Sequence, residues 1–239
     1  MMILEAKRLY KHFGGLVATS GVDLEVNEGE IVGLIGSNGA GKTTLFNLLS
    51  GALVADKGVI RLKGRDITRL KPHQIARRGI ARTFQVVKIF PRMSVFEHVR
   101  LGYRFGRAHP AHGEAADRKV DEILEFVGLF SMRAMRGGDL ILANQKRLEM
   151  ARALAMKPDL LLLDEVMAGL TPTEVSEAMT LVKQIEKRGT AIVMIEHVMK
   201  AIMNICDRVI VLNQGMKIAE GTPEEIAGNK TVIEIYLGE

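Results

Sequence analysis

The sequence of 239 residues has no tryptophan, and its 3 tyrosines and 8 phenylalanines leave little aromatic surface on which nucleic-acid bases could stack. No nucleic-acid partner is therefore expected. A single cysteine, Cys206, excludes an internal disulfide, and with Ile202, Ile205 and Val209 near it in sequence it reads as a small core residue. No apolar run approaches the roughly 18 residues that a membrane-crossing helix needs, because residues 160–163 and 191–195 both stop at charged side chains. The opening residues place Glu5, Lys7 and Arg8 where a secretory signal needs an unbroken apolar stretch, so the expected compartment is the cytoplasm, with at most peripheral membrane attachment. Acidic residues are outnumbered 28 to 33, a net charge of +5 compatible with nucleic acid, an anionic surface or polyphosphate, and insufficient to choose among them.

What is present is a chain that is 47% hydrophobic, enough for one large α/β core. Short β-like runs at residues 3–6, 22–26 and 31–35 are punctuated by Gly14-Gly15, Gly21 and Asn27-Glu28-Gly29. Residues 42–50 then carry apolar side chains at helical spacing, closed by Gly51. Between 94 and 156 helical spacing dominates, as in Val120, Ile123, Leu124 and Val127. The β rhythm returns at 160–163, 191–195 and 208–212, with helical segments between, the pattern of βαβ units on a parallel sheet. The expected organisation is one unit over 1–239. Residues 1–93 would form a β subdomain and the first part of the core, 94–156 a helical insertion, and 157–239 the rest of the core with C-terminal helices.

Gly36-Ser37-Asn38-Gly39-Ala40-Gly41-Lys42-Thr43 satisfies the phosphate-loop pattern G-x-x-x-x-G-K-[ST] between a predicted strand and a predicted helix, as that pattern requires. The glycines let successive backbone N–H groups converge on one concavity at a positive helix end. Lys42 is expected to reach the β- and γ-phosphates, Thr43 to ligate Mg²⁺, and Thr44 to line the site beside it. Residues 160–163 form an apolar strand that ends in Asp164 and Glu165, where a parallel sheet presents ligands at its carboxyl edge. Asp164 would hold the Mg²⁺ shell, and Glu165 would polarise the attacking water.

The order and spacing of these and further motifs resemble the ATP-binding-cassette (ABC) ATPases over essentially the whole chain. The resemblance implies an α/β phosphate-loop NTPase of RecA-like type: a parallel-sheet core, an N-terminal antiparallel β subdomain and an inserted helical subdomain. It also implies that Gln85, in Arg82-Thr83-Phe84-Gln85, senses Mg²⁺ and the γ-phosphate, that His197 contacts the γ-phosphate, and that Phe13 stacks on adenine, with Tyr10 a nearby competitor. Phe13-Gly14-Gly15-Leu16, the run from Gly33 through the phosphate loop to Asn47, residues 79–85 and residues 90–99 are similar to the branched-chain amino-acid importer group; lipopolysaccharide-transport ATPases are the alternative.

Such a cassette would power a separate membrane permease, close against a second cassette, identical or paralogous, and be served indirectly by a solute-binding protein. The helical insertion near Gln85 and residues 86–99 would receive a helix of the permease. A DNA-associated cassette and a phosphate-loop kinase compete. The first usually carries long coiled coils, of which no sustained heptads appear, and the second does not call for this order of glutamine, glutamate and histidine.

The chain departs from the family at the signature segment, LSGGQ, which is represented by Leu140-Ile141-Leu142-Ala143-Asn144 ahead of the intact helix Gln145-Lys146-Arg147-Leu148-Glu149-Met150-Ala151-Arg152-Ala153-Leu154. Val166 replaces the proline usual after the glutamate, and Thr171 the usual Asp or Asn of the dimer-contact loop. The expectation is intact nucleotide binding by this chain's own phosphate loop, with a weakened contact to the partner's nucleotide.

Overall fold

Register irregularities between the first two strands explain why they exceed the runs legible in sequence. In the computed structural model, which describes residues 1–107 and 112–237, β1 (Met2–Phe13) and β2 (Leu16–Asn27) each extend over 12 residues. Alternation along β1 buries Leu4 and Ala6, then slips in register before Leu9, where Arg8 adopts a positive φ of 49°. A slip of this kind breaks the period-two signal without ending the strand. The two strands turn at Gly14-Gly15, with Phe13 paired to Leu16.

The chain continues through β3 (Ile31–Gly36), α1 (Lys42–Leu49), β4 (Lys57–Leu62), β5 (Arg65–Asp66), α2 (Pro72–Arg78) and β6 (Ile80–Arg82). Next come α3 (Val95–Phe105), α4 (Glu114–Phe126), α5 (Leu142–Ala155), β7 (Leu160–Asp164), α6 (Pro172–Lys187), β8 (Ala191–Ile195) and α7 (Met199–Ile205). The end is β9 (Arg208–Asn213), β10 (Met216–Gly221), α8 (Pro223–Ala227) and α9 (Lys230–Leu237). Residues 108–111, within the expected helical insertion, and 238–239, at the end of the last expected segment, lie outside the described residues. Strands β4, β5, β6 and β10 were not anticipated; they are short or flanked by charge and carry little alternation.

β2, β1, β4 and β5 form an antiparallel sheet in that order, and β10-β9-β3-β8-β7-β6 form a second sheet that is parallel except for the β10 edge. Both faces of the second sheet are covered, which is why its strands read as unbroken apolar runs. Leu161, Leu163, Ile192 and Met194 pack with α3 to α7 on one side. Leu160, Leu162, Val193 and Ile195 pack on the other with Leu45, Phe46 and Leu49 of α1 and with the antiparallel sheet. The chain is thus an α/β phosphate-loop fold with an antiparallel sheet packed against one face of its parallel core. Cys206 is buried beside Gly33, and burial pushes its thiol pKa up to about 12, which keeps it a neutral core group.

Candidate functional site

Central strand β3 delivers the chain into the loop of residues 36–41, which α1 follows directly. Gly36 and Gly41 sit at φ 155° and 102°, and a Cβ on either would lie 2.3 to 2.4 Å from the carbonyl oxygen of Leu212 or Ala18. Only glycine fits there. Gly39, at φ 82°, faces open space; Asn38 before it is exposed, Ser37 is half-buried, and Ala40 is buried, its carbonyl accepting from the Gly215 N–H. The helix begins with no side-chain cap and no acidic residue in its first turn, so its N-terminal N–H groups are left for an anion.

Lys42 is only 6% exposed and donates from Nζ to the carbonyls of Gly36 (2.6 Å) and Ser37 (3.0 Å), curling back across the loop. Burial lowers its pKa, opposed by the charges of Glu165 and Asp164. Thr43 is exposed and Thr44 half-buried on the first turn. Phe13, at the tip of the β1–β2 hairpin that passes the loop at Ala18, is 46% exposed, whereas the Tyr10 hydroxyl turns in against Gly21.

The carboxyl ends of β6, β7 and β8 bring the remaining candidates together. Asp164 is buried and takes a 2.8 Å ion pair from Arg82 through Oδ2. Glu165 follows with φ 49°, a left-handed backbone that a non-glycine residue adopts at a cost of about 1–3 kcal/mol and that concentrates at functional sites. Its backbone is held at both ends, N–H to the Ile195 carbonyl and C=O from Lys146 Nζ at 2.7 Å. Its carboxylate lies between two expected partners: Gln85 Nε2 donates to Oε2 at 2.9 Å, and His197 Nε2 lies 3.2 Å from Oε1.

Three further charged residues lie near the site, Lys146 and Glu196 buried and Arg82 half-buried. Lys146 shares a helical face with the buried Ala143 and Met150, so a charge on an apolar stripe was the available signal. Burial lowers its pKa. Glu196 accepts from the Met167 N–H at 2.8 Å, and burial raises its pKa to about 7. Arg82, within a quoted motif, ends an apolar strand.

At the signature segment, Ile141 occupies the N-cap of α5 with extended backbone and no capping hydrogen bond, and is 64% exposed. Leu142 is exposed beside it and reaches Gly169 of the loop before α6. Thr171 behaves differently: it caps α6, its side chain accepting from Glu174 N–H in a capping box, work that Asp or Asn would do equally.

The sequence pattern of the ABC transporter family matches residues 19–168, and that of the branched-chain amino acid ATP-binding cassette transporter family matches residues 216–239. The high-affinity branched-chain amino acid transport ATP-binding protein BraF of Pseudomonas aeruginosa is 40% identical, with 99% of this chain and 98% of the relative covered. The lipopolysaccharide export system ATP-binding protein LptB of Haemophilus influenzae is 36% identical over 100% of this chain and 98% of its own length. Among solved structures, the ADP conformation of an ATP-binding cassette of an ABC transporter superposes with a TM-score of 0.90 at 31% identity over 100% of both chains. With its phosphate loop, paired carboxylates and full-length likeness, the chain belongs to the ABC transporter ATPases, nucleotide-binding enzymes that hydrolyse ATP to drive transport.

Proposed function

We propose that this chain is the ATP-hydrolysing subunit of an importer for branched-chain or related amino acids, working at the cytoplasmic face of a membrane with permease subunits and a second cassette. The observation that carries the enzymatic half is the Glu165 carboxylate held between Gln85 and His197 beside a phosphate loop. The loop N–H groups and Lys42 hold the β- and γ-phosphates, and Phe13 offers its exposed ring to adenine. Glu165 accepts the proton of the attacking water, and His197 and Gln85 orient water and γ-phosphate around it.

The donor set also suits Mg²⁺, which keeps waters and substrate phosphates in its shell and so needs few protein groups. Thr43, Gln85 and Asp164 would supply a hydroxyl, an amide oxygen and a carboxylate, and the ion would neutralise phosphate charge. The amino-acid assignment rests on the C-terminal match at residues 216–239 and on the greater identity to BraF than to LptB.

An apolar groove of about 520 Å³ between the core and the helices after Gln85 is the proposed seat for a permease helix. Phe84 and Phe90 line it, Phe90 within residues 86–99, together with Ala76, Phe105 and Met156 from α2, α3 and the end of α5. Reconstitution with the permease pair tests the whole: ATP-dependent leucine uptake into vesicles supports the proposal, and ATP turnover without uptake of any branched-chain amino acid removes the solute assignment.

A further inference from the structure

The guanidinium of Arg82 reaches two elements from a third. Its Nη2 donates to Asp164 Oδ2 at 2.8 Å, at the end of β7. Its Nη1 donates to Asn47 Oδ1 at 2.6 Å and Ser50 Oγ at 3.3 Å, on α1. The ring faces of Phe46 and Phe84, at 5.5 and 5.4 Å, enclose the cation. Asn47 lies one turn after Thr43 on the same face of α1, and Gln85 is three residues after Arg82 itself. The adjacent Thr83 adds a second hold, its Oγ1 accepting the Asp164 N–H at 3.1 Å. One side chain therefore ties together the three elements that carry Thr43, Asp164 and Gln85.

We propose that Arg82 is a positioning residue for the Mg²⁺ site, fixing the separation of those three groups and the orientation of the Asp164 carboxylate; this rests on reading the three as the Mg²⁺ groups. A buried carboxylate needs a compensating charge, and Arg82 supplies it. The guanidinium engages only Oδ2: Nη1 is committed to Asn47 and Nε makes no hydrogen bond, so the two-oxygen grip that would close the carboxylate to a cation is not made. Lysine, a single-nitrogen point charge, cannot bridge Asp164 and Asn47 in this way.

The test is a titration of the full chain with a fluorescent ATP analogue, first with a chelator and then with rising Mg²⁺. For Arg82→Gln the metal-free affinity stays within about twofold of wild type, while the Mg²⁺ concentration giving half the gain in affinity rises about 10- to 100-fold, the range for lost support of a metal ligand. Asn47→Ala, which keeps the Asp164 pair and removes the shorter of the two ties to α1 while leaving the 3.3 Å one to Ser50, shifts the same midpoint upward by a smaller factor and decides the matter if Arg82→Gln fails to fold. An unchanged midpoint in the folded variants makes Arg82 merely structural and overturns the proposal. A lowered midpoint overturns it too, since the guanidinium would then compete with the cation. Wild-type affinity that ignores Mg²⁺ altogether removes the metal reading itself, an outcome distinct from the failure of Arg82 alone.

Discussion

Gln85 and Glu165, 80 positions apart in sequence, meet through a 2.9 Å hydrogen bond from the glutamine amide to the carboxylate. With His197 on the other oxygen, Glu165 has its side chain oriented before any substrate arrives. Glu165→Gln keeps the shape and loses the acceptor charge. It is expected to bind MgATP while hydrolysis falls by about 10² or more, the typical contribution of a general base. Turnover within about twofold of wild type in a phosphate-release assay would take Glu165 out of that role.

Lys42 spends its buried ammonium on two loop carbonyls, which holds the charge at the mouth of the loop. Lys42→Ala should lower MgATP affinity about 10- to 100-fold, the equivalent of the roughly 1.5–3 kcal/mol that a hydrogen bond to a charged group contributes. Equilibrium titration reads this directly, and unchanged affinity would contradict the phosphate-loop assignment.

Glu196 makes stability depend on pH. Burial raises its pKa from the ordinary 4.5 to about 7, so between those values the folded chain holds a proton that the unfolded chain has released. Its contribution to stability therefore falls as pH rises through that window. Glu196→Gln keeps the acceptor for Met167 N–H and removes the titration. Urea unfolding at pH 5 and pH 8 should show a flatter pH dependence, with the variant gaining up to about 3 kcal/mol on wild type at pH 8. An equal slope in both proteins would assign the dependence to other groups.

Much of this architecture was legible because period and spacing are local. The apolar strands, the loop from Gly36 to Lys42 and the acidic end of β7 all announce themselves within a few residues. The antiparallel sheet was half hidden, since the irregularity at Arg8 breaks the alternation and β5 is two residues long. Arg82, Lys146 and Glu196 escaped for another reason. Each is a charged residue whose partner lies on a different element, and only the closed fold puts Arg82 against Asn47 and Asp164, Lys146 against Glu165, or Glu196 against Met167.

The signature segment carries the last prediction, because its departure falls at a helix start, where no side chain caps the first turn. α3, α6 and α8 begin with capping boxes at Ser94, Thr171 and Thr222, whereas α5 begins at Ile141, a residue type among the poorest at that position. In the proposed pair of cassettes this helix end faces the nucleotide of the other chain. This chain's weak segment should then impair the partner's site and spare the one built on Lys42, Glu165 and His197. With a paralogous partner that bears a serine and glycines, mutating the partner's phosphate-loop lysine should cost less transporter ATPase than Lys42→Ala. Equal losses would mean that the backbone N–H groups of α5 suffice, and a greater loss from the partner's lysine would reverse the asymmetry. Ile141→Ser supplies an independent check. It restores both a cap, stabilising the chain by about 1 kcal/mol, and the hydroxyl aimed at the partner's phosphate. In a pair of identical chains it should raise ATP turnover at both sites; in an unlike pair it should raise turnover only at the partner's, read with Lys42→Ala silencing this chain's own. A gain in stability with no gain in turnover would confine Ile141 to the helix end and leave the phosphate contact to the backbone.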